Sequence, residues 1–237
     1  MKNIKIDTIK RTETPPKIIK NFIEIDKIKE LQNLYEDLPL TIHNKKQNVK
    51  KKRWVSGFRK DLEIWYFNKL RDVIGDFEMD NLKTENKEEI LGLFQESYSP
   101  IGLHVDAGFN TNNQIYKQSL IPLSPYGSTV IFKNKYYDGS TNFTLDENEL
   151  KKKKNLNYGQ NTRSKIHLEL FGDKPFDKSI HAKFLSHEKI ENLSGLEVEC
   201  IYEWEVGSIL VFDRSHLHAS SSQIKEKKIG LTTFTKK

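Results

Sequence analysis

Apolar positions in the first third of the chain recur at helical spacing. Over "DKIKELQNLYEDL", Ile28, Leu31, Leu34, Tyr35 and Leu38 fall on one face, with Asp26 placed to cap the start. Over "KDLEIWYFNKLRDVIG", Leu62, Trp65, Tyr66, Leu70, Val73 and Ile74 make a second stripe, which Gly75 closes. From about Ile90 the period shortens. "LGLFQESY", "KQSLIPLS" and "STVIFKN" are short apolar runs, the last two separated by Pro125-Tyr126-Gly127, and they read as strands joined by turns. In "GLEVECIYEWEVG", Leu196, Val198, Cys200, Tyr202, Trp204 and Val206 alternate with mostly acidic residues, the pattern of a half-buried strand. After a break at Gly207-Ser208 come the buried run Ile209–Phe212, then "DRSHLHASSS", then "KIGLTTFT".

The segments between these runs have no such period. The first 20 or so residues are lysine-rich, contain Pro15-Pro16, and read as a loosely attached extension. Residues 42–53 read as a basic linker. Residues 134–195 are polar and irregular, a long insertion that is either a lid, a substrate wall or a disordered segment. The expected organisation is therefore an extension and helix over 1–58, then one domain over 59–237 interrupted at about 134–195. Short strands behind two helices, without helices alternating among them, predict a mainly β (α+β) architecture: an antiparallel sandwich or jelly roll.

Composition narrows the setting. A chain of 237 residues can bury a full core. No window approaches the roughly 18 consecutive apolar residues of a membrane helix, and "MKNIKIDTIKRTETPPK" has no apolar signal core, so a cytoplasmic protein with no membrane partner is expected. The single cysteine, Cys200, excludes an internal disulfide and a Cys-rich zinc module. The net charge of +6 admits binding to nucleic acid through "KKQNVKKKR". Yet there are 33 Lys to 6 Arg, and arginine is the residue on which base readout most depends.

The candidate chemistry starts at "GLHVDAGF". In an extended strand His104 and Asp106 share a face, as a salt bridge, a catalytic dyad or two legs of a metal site. Mononuclear iron sites that activate dioxygen use two histidines and one carboxylate on one face. A third ligand is available in "GSILVFDRSHLHAS", where His216 and His218 share a face and alternation does not choose between them. His43, His167, His181 and His187 read as loop residues.

The segments "GLHVDAGF", "LIPLSPYGSTVIF", "GSILVFDRSHLHASS" and "KKIGLTTFT" resemble, in order and context, the Fe(II)/2-oxoglutarate-dependent oxygenases, in particular the prolyl-hydroxylase and phytanoyl-CoA-hydroxylase branches. The resemblance covers about residues 60–132 and 196–235. It implies a double-stranded β-helix and an iron triad of His104, Asp106 and His218, since "LHAS" is similar to the family's Leu-His-Gly-Ser; His216 is the alternative. It also implies a basic residue shortly after the distal histidine to bind the far carboxylate of 2-oxoglutarate. Here the family's usual Arg is replaced by Lys227 or Lys228. Lys228 shares a face with Gly230 and Thr232, while Lys227 lies with Ile229 and Leu231, so Lys228 is expected at the cofactor with Thr232 as a second contact. Tyr98 could donate its hydroxyl to the cofactor or simply be packed. The implied chemistry uses Fe(II), 2-oxoglutarate and O2, and hydroxylates a C–H bond of a peptidyl, amino-acid or small-molecule substrate. A metal-binding jelly roll without catalysis and an oxygenase acting on nucleic acid are the alternatives. Oligomeric state is not legible.

Overall fold

Alternation along one strand shows how the layers are arranged. In the strand Val49–Val55 (β3), Lys50, Lys52 and Trp54 point one way. Lys50 Nζ reaches Glu96, Lys52 Nζ donates to the carbonyl of Tyr35 on a covering helix, and Trp54 is fully buried beneath the helices. Val49, Lys51 and Arg53 point the other way, into the space between two sheets. The computed structural model describes residues 2–45, 48–80, 82–106, 115–137, 141–144, 159–224 and 226–237.

Among these, the strands form two sheets. The larger runs β1(Lys17–Ile19), β12(Ile209–Asp213), β7(Ile115–Pro122), β14(Lys228–Lys236), β5(Ile90–Ser97), β3 and β2(Leu40–Asn44), with β4(Glu78–Met79) also on β14. The smaller runs β10(Gly159–Thr162), β9(Thr141–Thr144), β6(His104–Val105), β13(His216–Ser220), β8(Ser128–Lys135) and β11(Val198–Glu203). Apart from the β9–β10 pair the ladders are antiparallel. The chain thus folds as the expected double-stranded β-helix.

Helices α2(Ile25–Asp37) and α3(Lys60–Ile74) cover the outer face of the larger sheet. They do so because Ile28, Leu31, Leu34 and Tyr35 of α2, and Leu62, Tyr66, Leu70 and Ile74 of α3, are buried against Trp54, Phe94, Ile229 and Leu231. The Tyr66 hydroxyl is shared with Thr233 Oγ1 at 2.8 Å, so the buried polar group is satisfied. Gly75, at φ +72°, ends α3 as expected. Asp26 sits in the first turn of α2 and does not cap it; Glu24 occupies the N-cap position without a side-chain bond.

Three expectations about the irregular segments change. Residues 42–53 are not a linker: β2 and β3 supply paired strands of the larger sheet. The start of the chain, after α1(Lys2–Arg11), is tied down by β1 on β12 and by the Thr14 amide, which donates to Asp213 Oδ2 at 2.9 Å. Within 134–195, α4(Arg163–Phe171), α5(Lys178–Phe184) and a 3-10 turn at Ile190–Leu193 pack on the smaller sheet. There Phe176, Phe184, Leu185 and Leu193 share a core with Leu103, Phe132, Phe143 and Leu217. The lid or substrate-wall expectation falls largely on residues 145–158, which lie outside the described residues. Of the histidines read as loop residues, His43 is in β2, His167 in α4 and His181 in α5.

Candidate metal centre

The two halves of the site are brought together by one backbone pairing. β6 runs antiparallel to β13 with His104 directly opposite His218, so residues far apart in sequence become cross-strand neighbours. Their rings lie 4.1 Å apart between centroids. Asp106 follows β6 at once, and its Oδ2 stands 3.7 Å from His104 Nε2 and 3.4 Å from His218 Nε2. One ligand atom from each residue lies within 4.8 Å of the others.

Hydrogen bonds fix the tautomers. His104 Nδ1 lies 2.8 Å from the Gly102 carbonyl and His218 Nδ1 lies 3.1 Å from the His216 carbonyl. A carbonyl only accepts, so each Nδ1 carries the proton and each Nε2 presents its lone pair to the site. Burial, with His218 alongside, pulls the His104 imidazole down to about 4, which keeps it neutral at neutral pH. Burial alone would raise the Asp106 carboxyl, but the two imidazoles and Lys51 hold it well below the usual carboxylate range. Two lone pairs and a carboxylate therefore converge with no proton between them, and a divalent cation completes such a set.

Several residues hold this geometry. Gln118 Nε2 donates to Asp106 Oδ2 at 3.2 Å, while Gln118 Oε1 has no partner among the described residues. The buried Arg214 bridges the Asp106 carbonyl (Nε, 3.0 Å), the Thr235 carbonyl (3.0 Å) and the Asp80 carboxylate (2.7 Å). Nothing in the sequence pointed to Arg214. Replacing it with methionine leaves Asp80 buried without its guanidinium. The expected loss is about 3–5 kcal/mol in urea unfolding, accompanied by metal binding weaker by about 10–100-fold.

His216 stands apart. The β13–β8 ladder shifts register between His216 and His218. His216 Nδ1 donates to the Phe132 carbonyl at 2.6 Å, and its Nε2 faces Asp213 at 3.8 Å. It belongs to a charged cluster in which Lys117 pairs with Asp213 and Lys135 with Glu13.

Lys228 is buried on the inner face of β14, whereas Lys227 is exposed. Lys228 Nζ donates to Ser220 Oγ at 2.9 Å and to the Ser128 carbonyl at 3.2 Å, and it lies 4.0 Å above the Trp204 ring. No carboxylate among the described residues pairs with it. Burial accordingly lowers its ammonium to about 7. Gly127 holds φ +107°, and a Cβ there would come within 2.8 Å of the Lys228 stem, so the turn must be glycine for the lysine to reach Ser220. Ser220 follows His218 by two residues, roughly 6–7 Å along the strand, about the reach of a five-carbon dicarboxylic acid.

Thr232 is half-buried and lies on the same face of β14 as Lys228, beyond Gly230. Tyr98 is not brought to the site. Its hydroxyl donates to Glu96 at 2.7 Å, joining Tyr35 and Lys50 on the helix-covered face of the larger sheet. Lys51, read as part of a linker, stands instead in one strand row with Gln95 and Gly230, a placement visible only once β3 is known to be a strand.

No family model and no curated protein matches the sequence. Solved structures do. An oxidoreductase of the 2OG-Fe(II) oxygenase family from Burkholderia pseudomallei is 10% identical, with a TM-score of 0.51 over 98% of this chain and 89% of that one. The epimerase SnoN, in complex with Fe3+, alpha ketoglutarate and nogalamycin RO, is 8% identical, with a TM-score of 0.52 over 98% and 84%. HygX from Streptomyces hygroscopicus, with nickel and 2-oxoglutarate bound, is 10% identical, with a TM-score of 0.50 over 97% and 85%. The chain has the fold of these oxygenases.

Proposed function

We propose that this protein is an Fe(II)- and 2-oxoglutarate-dependent oxygenase that hydroxylates a C–H bond of a peptidyl, amino-acid or small-molecule substrate. The observation that carries the reading is the convergence of His104 Nε2, His218 Nε2 and Asp106 Oδ2 two residues along the strand from Ser220 and its buried lysine, which has no counter-charge among the described residues. The three ligands would hold iron facially and leave its other positions open. Bound there with 2-oxoglutarate, iron would supply oxidation by O2, with release of succinate and carbon dioxide. The chain's own residues do the rest. Gly102 and the His216 carbonyl hold the imidazoles in the ligating tautomer, and Gln118 and Arg214 orient Asp106. Lys228, with Ser220, would take the far carboxylate of the cosubstrate, and Thr232 would make a second contact.

A buried ammonium without a carboxylate is costly unless an anion joins it, and this argues against a metal-binding protein that has lost its cosubstrate. The nucleic-acid alternative loses its main support, because Lys50, Lys52 and Arg53 are spent on Glu96, the Tyr35 carbonyl and Glu85. Among the described residues no helix is long and apolar enough to cross a membrane. SnoN is an epimerase; hydroxylation is proposed as the default outcome that the resemblance implies. The test is an anaerobic titration of the metal-free protein with Fe(II) and 2-oxoglutarate. A visible metal-to-ligand charge-transfer band is expected, with succinate formed on admitting air. Iron binding without the band would end the oxygenase reading.

A further inference from the structure

The basic run Lys50-Lys51-Lys52-Arg53 has one member whose charge is unspent. Lys50 pairs with Glu96, Lys52 with the carbonyls of Tyr35 and Glu36, and Arg53 with Glu85. Lys51 Nζ has no hydrogen-bond or ion-pair partner among the described residues. Strand pairing fixes where it points. Lys51 stands opposite Gln95 on β5, and Gln95 stands opposite Gly230 on β14, so the three form one row across the inner face. The next row holds Val49, Ser97 and Lys228. Lys51 is half-buried, and its charge is felt at Asp106 and at His104.

Burial lowers the Lys51 ammonium, and the Asp106 carboxylate alone works against this. In the filled site that help is removed, because Asp106 is then engaged by the metal. The charges of iron and Lys228 balance those of Asp106 and a bound 2-oxoglutarate dianion. Lys51 is left over: a desolvated cation on the inner face of the larger sheet, on a different strand and row from the cosubstrate's anchor. A lysine in such a place is a receptor for an anionic group.

We propose that Lys51 is the anion-recognition residue of the substrate pocket, so that the substrate carries a carboxylate or phosphate near the C–H bond that reacts. The proposal rests on the oxygenase reading of the site and names the substrate class for it. Lys228 and Lys51 divide the work, the first taking the cosubstrate and the second the substrate.

The test uses protein labelled with carbon-13 at the lysine Cε and loaded with Zn(II), which keeps the spectra diamagnetic, and with 2-oxoglutarate. The Lys51 resonance is the one lost in Lys51→Met, and Lys51→Gln replaces that variant if methionine does not fold. Sodium acetate and inorganic phosphate are then titrated. One of them is expected to move the Lys51 resonance saturably while 2-oxoglutarate stays bound, and its binding should weaken at least tenfold in the variant, whose 2-oxoglutarate affinity is unchanged. If neither anion moves that resonance, the proposal is overturned. It is also overturned if the anions displace 2-oxoglutarate and the variant binds the cosubstrate tenfold more weakly, since Lys51 then serves the cosubstrate. Saturable anion binding at Lys51 in a protein that takes no 2-oxoglutarate would support the anion site while removing the oxygenase reading.

Discussion

His218→Ala is expected to abolish the iron–2-oxoglutarate charge-transfer band and to weaken Fe(II) binding by more than about 100-fold, since changes to residues that merely support metal ligands already cost 10–100-fold. The cause is specific. Removing His218 leaves His104 and Asp106 as a two-point site, and no described histidine stands near enough to substitute. His216→Ala is the control. That ring is as buried as His218 and donates to the Phe132 carbonyl, so its loss should cost roughly 1–3 kcal/mol of stability and leave the band in place. Urea unfolding and the anaerobic titration read the two effects separately. A band that survives in His218→Ala and vanishes in His216→Ala would move the third ligand to His216 and overturn the assignment.

That contrast shows what strand alternation can and cannot decide. Parity alone places His104 with Asp106, and Lys228 with Gly230 and Thr232, because side-chain direction in a strand depends only on counting by twos. The same counting puts His216 with His218, and there it fails. A register shift in the ladder to β8 falls between them, and a shift is set by the partner strand, which local sequence does not display. Tyr98 failed for a related reason: it lies beyond the end of β5, where parity with His104 has no meaning, and Glu96 captures its hydroxyl.

Charge misled more than hydrophobicity did. "VKKKRWV" has too many lysines to read as a strand in the middle of a sheet, yet it pairs with β5 along its length. Each of its charges except that of Lys51 finds a partner on an element far away in sequence, so what makes the strand possible was invisible locally. The helices α2 and α3 were legible because their apolar stripes meet the sheet directly, without such partners. Residues 134–195 were half legible. Phe176, Phe184, Leu185 and Leu193 come from a stretch whose average character is polar, but a few large apolar residues suffice to build a core.

The affinity for 2-oxoglutarate should depend on pH through Lys228. In the free protein burial lowers that ammonium to about 7, and a bound carboxylate favours the charged form. Affinity is expected to be level below pH 7 and to fall about tenfold for each pH unit above it, the slope of one proton taken up on binding. Stability runs in the opposite direction. The folded state binds its proton more weakly than the unfolded chain does, so between about pH 7 and the ordinary lysine range the unfolded state holds more protons, and stability of the free protein rises with pH. Below pH 7 the full cost of the buried charge is present. Lys228→Met should therefore stabilise the free protein at neutral pH and below, while weakening 2-oxoglutarate binding by at least about 30-fold, as expected when one partner of a buried charge pair is truncated. It should also abolish the pH dependence. Lys228→Arg tests the charge itself, because a guanidinium keeps its proton throughout this range: whatever affinity remains should no longer fall above pH 7. Calorimetric titration of the Zn(II)-loaded proteins with 2-oxoglutarate between about pH 6 and 9 reads all three variants against the ammonium's titration. A wild-type affinity that stays level across that range would mean that Lys228 does not anchor the cosubstrate through its charge. The buried ammonium beside Ser220 would then need another anion to account for it.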